Sequence, residues 1–157
     1  MDTTTLYLAA KTVHIAAFVL AIGIVACTYM SYSYFWELYG RNKEQGISAF
    51  RAYNRLQLTG MISLGVVLLA GIAMLVLMDW RLMQHLWFQV KLALVALIFI
   101  NGFTLGRTST IRLRRFLEDD NHDSTESGII KRKLRFFQLL QLALYFAIIV
   151  VSVFRAD

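Results

Sequence analysis

The chain holds one cysteine, Cys27, and no proline. An intramolecular disulfide is therefore excluded, and so is a cysteine-rich metal site. Histidine is scarce: His14, His85 and His122 are the only three. There is no internal repeat and no low-complexity tract. No cleavable signal peptide is expected, because the first apolar run is too long for a signal h-region and lacks a small-residue cleavage site followed by a soluble body. Aspartate and glutamate are missing from every long apolar run, so no carboxylate of the same chain is available inside them.

What is present is apolar surface. Of 157 residues, 58% are hydrophobic, above the roughly 45–50% usual for a soluble domain. The excess is gathered into runs at about 12–30, 56–77, 85–105 and 136–154. Each is close to the ~20 residues that a membrane-crossing helix needs. Only helices and closed barrels satisfy their backbone in lipid, and runs this long and continuous are not barrel strands. The sequence thus predicts an all-α integral membrane bundle of four antiparallel transmembrane helices, a single membrane domain over 1–157. An amphipathic lead-in, Leu6 to Lys11, precedes the first span, and Tyr29, Tyr32, Tyr34 and Trp36 read as an aromatic belt at its far interface. Polar connections are expected at Glu37 to Asn54 and Gly106 to Lys133, with a short turn at Met78 to Gln84.

The net charge of +6 does not point to nucleic acid, since the cations lie between apolar runs, where the positive-inside rule places them. The first connection carries Arg41, Lys43, Arg51 and Arg55. The third carries Arg107, Arg112, Arg114, Arg115, Lys131, Arg132 and Lys133, with Arg135 just beyond. The second holds Arg81 alone, and the terminal segments hold Lys11 and Arg155. The first and third connections are therefore expected on the cytoplasmic side, and both termini on the outer side. His14 and His85 then both enter the membrane from outside.

Lys91 lies in the first half of the third span. A buried cation there costs at least ~2.5 kcal/mol. One reading is that its long side chain snorkels to the interface; the other is that it binds a carboxylate brought by a ligand, such as a porphyrin propionate. His14 and His85, on two spans and at similar depth, have the chemistry to hold a haem iron from both sides. Interfacial histidines in contact with water or a neighbour are the alternative. Ala17, Ala21 and Thr28 share a helix face with His14 and leave room for a close helix or a flat cofactor. Gly60, Gly65 and Gly71 suit close packing of the second span and a homo-oligomer. Gln138, Gln141, Tyr145 and Ser152 form a polar stripe on the fourth span that should point inward. Cys27 reads as a packing residue. His122 among Asp119, Asp120 and Asp123 matches no metal-loop spacing.

Three short motifs carry a resemblance. Lys11-x-x-His14 opens the first span, Arg55-Leu56 opens the glycine-containing second, and Trp87-Phe-Gln-Val-Lys91-Leu opens the third. In order and spacing these resemble the HemJ-type protoporphyrinogen oxidases and related small four-span b-haem proteins. The resemblance implies a multi-pass protein of a bacterial inner (plasma) membrane, with haem b, that oxidises protoporphyrinogen and passes electrons to a respiratory-chain acceptor. It maps the family's haem-ligating histidine onto His14 and its functional arginine and lysine onto Arg55 and Lys91. Elimination among the histidines makes His85 the expected second axial ligand, with Met74 or Met78 as the alternative partner. Two other classes of function stay open: a membrane cytochrome b that only relays electrons, and an accessory subunit without haem whose polar groups bind helices together.

Overall fold

The computed structural model describes residues 2–118 and 124–154, every element of which is helical. The chain divides into two compact units, Met1–Phe88 and Gln89–Asp157. Four helical stretches are long and apolar enough to cross a membrane: Thr3–Arg41, Lys43–Leu77, Leu86–Leu117 and Ser127–Val153. This is the pattern of a multi-pass membrane protein.

The first unit is a helical hairpin. α1 spans Thr3–Arg41 and α2 spans Lys43–Leu77. One residue, Asn42, makes the reversal. Its backbone is extended and its N–H caps α1 at the Leu38 carbonyl, 2.8 Å away. Its side-chain oxygen then accepts from the N–H groups of Glu44 and Gln45 at 2.9 and 3.3 Å, which starts α2. Asparagine serves both ends because its short amide satisfies the orphan donors of a new helix. An ion pair between Glu37 and Arg41, 2.8 Å at i,i+4, covers the last turn of α1.

The helical reversal corrects the polar connection expected at Glu37 to Asn54: all of it but Asn42 is helix. α1 is roughly 58 Å long at 1.5 Å per residue, about twice the hydrocarbon thickness of a bilayer. Aromatic packing holds the extension together. Tyr32, Phe35, Phe50 and Tyr53 are buried between the two helices, and Phe35 meets Trp36, Tyr39 and Phe50 with ring centroids 5.1, 5.7 and 6.0 Å apart. Tyr32 is thus a core residue of the hairpin, whereas Tyr34 faces outward. At the tip, Gly46 lies so close to Tyr39 that a Cβ would sit 2.8 Å from its Cα.

Ala17, Ala21, Ile24 and Thr28 form the buried face of α1 nearer its start, against Ser63, Val67 and Ala70 of α2. The small-residue stripe is therefore occupied by a close helix. After Leu77 the backbone turns through Asp79 and Trp80, both at positive φ, and a short 3-10 turn, Arg81–Gln84.

α3, Leu86–Asn101, whose residues from Gln89 on belong to the second unit, passes through a π-helical turn, Gly102–Gly106, into α4, Arg107–Glu118. α5 follows at Ser124–Val153. The loop expected from Gly106 to Lys133 is thereby replaced by helix at all its described residues. Periodicity explains this. Leu113, Phe116 and Leu117 of α4 are buried, as are Ile130, Leu134 and Phe137 of α5, at three- and four-residue spacing. Gly106 meets the Phe137 ring edge, where a Cβ would fall 2.8 Å from Cζ. Apart from Gln89, Lys91 and Asn101, α3 is apolar, and it contributes only Ile98 and Asn101 to the buried set.

Candidate functional site

His14 sits one-third of the way along α1, on the face turned to α2. Its Nδ1 lies 2.8 Å from the Val67 carbonyl oxygen. A carbonyl only accepts, so Nδ1 carries the proton and the lone pair of the neutral ring belongs to Nε2. The ring passes over Gly71, where a Cβ would stand 3.3 Å from Cε1 and 3.4 Å from Nδ1. Glycine at 71 is what lets the imidazole lie this close to α2. The result is a histidine with a fixed tautomer and orientation, half-buried at a helix pair, the arrangement that orients metal-ligating imidazoles generally.

His85 belongs to the same unit and closes the turn after α2. Its backbone is extended, its N–H bonds to Leu82, and its carbonyl accepts from the Phe88 N–H at 3.1 Å. The imidazole is exposed, with its ring 6.1 Å from that of Trp87. Met74 and Met78 are half-buried at the end of α2, one and two turns beyond Gly71. Arg55 is exposed on α2, about 24 Å of helical rise from Gly71. It is not part of the His14 site. Lys91 is half-buried on α3 and belongs to the second unit.

Three of the four stripe residues of α5 point inward: Gln138, Gln141 and Tyr145 are 1%, 7% and 3% exposed, whereas Ser152 near the helix end is only half-buried. Sequence reasoning gave no role to the residue that meets it. Asn101 donates through Nδ2 to Gln141 Oε1 at 2.7 Å and to the Phe137 carbonyl at 3.2 Å. An amide inside an otherwise apolar run was the available signal. The bond partners of His14 left none, because a backbone carbonyl has no letter in the sequence.

Among the described residues no group of three His, Cys, Asp or Glu side chains gathers into a metal site. His122 and its neighbours Asp119, Asp120 and Asp123 lie outside the described residues. Cys27 is exposed on α1. No protein-family model, curated protein or solved structure matches the chain.

Proposed function

We propose that the chain is a haem b-binding integral membrane redox protein, similar in kind to the HemJ-type protoporphyrinogen oxidases. The observation that carries this reading is the His14 imidazole, held by the Val67 carbonyl in the tautomer whose Nε2 lone pair is the one a haem iron takes. The donor set fits the group: an oriented histidine with its proton on Nδ1, and a second histidine in the same unit.

Bound haem would supply one-electron redox chemistry. The protein's own part is to orient. Val67 holds the Nδ1 proton of His14 and makes the ring a better donor, and Gly71 keeps the space beneath it. His85 is the proposed second ligand, and its exposure leaves its ring able to turn. Lys91 supplies a cation for porphyrin carboxylates, and Arg55 and Lys91 are the side chains proposed to act on a porphyrinogen. The protein would sit in a bacterial inner membrane with both termini outside, as an antiparallel four-span bundle and a homo-oligomer, delivering electrons to a respiratory acceptor.

The distance along α2 between Arg55 and the His14 level favours a second reading, a cytochrome b that relays electrons without oxidising a porphyrinogen. The absorption spectrum of the purified protein is the decisive test of haem. A Soret band is expected in the wild type and absent in His14→Ala. His85→Ala should turn a low-spin spectrum high-spin with haem retained. Full haem content in the His14 variant would overturn the assignment. Turnover of protoporphyrinogen, lost in Arg55→Gln and Lys91→Met while the Soret band persists, separates enzyme from relay.

A further inference from the structure

A pocket of about 140 Å³ opens in the second unit beside the π turn, lined by Thr104, Leu105, Thr108, Ser109, Arg112 and Lys133. Its volume is below the ~300 Å³ at which drug-sized or nucleotide-sized ligands begin, so its occupant inserts a small group. The chemistry of the wall identifies that group. Thr104 donates its hydroxyl to the Ile100 carbonyl at 2.6 Å, and Thr108 donates to the Thr104 carbonyl. With those protons committed, the threonines present methyls and oxygen lone pairs. The cationic donors are the Arg112 guanidinium from α4 and the Lys133 ammonium from α5. Neither forms an ion pair with a carboxylate whose side chain the structure describes. One small anion between two cations satisfies both, and phosphate oxygens match the guanidinium fork.

The setting decides the source of the anion. Helix passes here from the apolar α3 into the arginine-rich α4, the junction where a membrane helix meets headgroups. Phe103, Ile111 and Phe136, on the same elements, are exposed apolar side chains, suited to acyl chains. We infer that this pocket binds the phosphate of an acidic phospholipid. A zwitterionic lipid would bring its own cation against Lys133 and is disfavoured. The inference rests on the membrane character of the chain and not on haem.

The test is native mass spectrometry of the full chain in neutral detergent with phosphatidylglycerol, phosphatidylcholine or inorganic phosphate at equal concentration. The wild type should retain a phosphatidylglycerol adduct at least tenfold more than a phosphatidylcholine adduct. The double variant Arg112→Gln/Lys133→Gln should lose that preference. The charge-matched pair Arg115→Gln/Arg132→Gln, outside the pocket, and the swap Arg112→Lys/Lys133→Arg should both keep it, with circular dichroism confirming helical content throughout. Equal retention of the two lipids, or equal loss in the two glutamine pairs, would overturn the site. A phosphate adduct that needs Arg112 and Lys133 while no lipid is retained would overturn the lipid assignment.

Discussion

His14 and Gly71 form a packing unit at the scale of single residues. A methyl added at position 71 falls within 3.4 Å of the imidazole, tighter than packed carbon atoms prefer. The ring must then shift and loosen its bond to Val67. On the proposed haem ligation, Gly71→Ala is therefore expected to weaken haem binding by roughly 10–100-fold, the usual cost of disturbing the partner of a ligating histidine. Alanine favours helix by ~1 kcal/mol over glycine, so thermal stability of the apoprotein should not fall in step. Gly65→Ala, where a Cβ meets nothing within 4 Å, is the matched control and should leave haem affinity unchanged. Haem titration of both variants decides it. Asn101 makes a second residue-scale case. Its Nδ2 serves two acceptors in a buried setting, and hydrogen bonds between membrane helices are worth about 0.6–1.7 kcal/mol. Asn101→Ala should destabilise the protein by about that amount in a reversible unfolding assay, and Asn101→Gln only partly restore it, since the longer amide cannot reach both acceptors at once.

Elements were legible in the sequence to the degree that apolar length decided them. The apolar interiors of the four spanning helices follow from hydropathy alone, and the inward stripe of Gln138, Gln141 and Tyr145 follows from helical spacing. The ends did not follow. Polar letters from Glu37 to Asn54 resemble a loop, but Phe35, Tyr39, Phe50 and Tyr53 recur at helical spacing and pack across the hairpin, and tertiary packing outweighs polarity. Gly46 against Tyr39 shows the same thing, since its value lies in a contact that only the folded hairpin contains. For the candidate site, the choice of His14 rests on its place in a span, whereas its tautomer depends on a carbonyl fifty-three residues away. Asn42 carries the prediction at this scale. Asn42→Ala removes the acceptor for the Glu44 and Gln45 amides and should cost about 1 kcal/mol, while Asn42→Asp should be nearly neutral. Melting temperatures in one detergent would show the difference.

The whole molecule raises the question of sidedness, which contacts within each unit do not answer. Four crossings, as proposed, would put the Asn42 reversal and the start of α5 on one side and the Met78 to Gln84 turn on the other. The cations agree: Arg41, Lys43, Arg51 and Arg55 flank the reversal, and Lys131, Arg132 and Lys133 open α5, whereas the other turn has Arg81 alone. Charges in short connections fix orientation because moving them across the bilayer is costly. Cysteine labelling in intact membrane vesicles of known sidedness tests this, after Cys27→Ala removes the single native thiol. Asn42→Cys and Gly128→Cys, both at exposed positions, should react with a membrane-impermeant maleimide only from the cytoplasmic face. Gln84→Cys should react only from the outer face. The helical reversal sharpens the outcome, because a tip carried roughly 20 Å or more beyond the hydrocarbon by its own helices should label fast and completely. Labelling of Asn42→Cys and Gly128→Cys from opposite faces would remove the four-span arrangement. Labelling of both from the outer face would keep the span count and invert the protein, placing His14 and His85 at the cytoplasmic side and the Arg112/Lys133 pocket at the other.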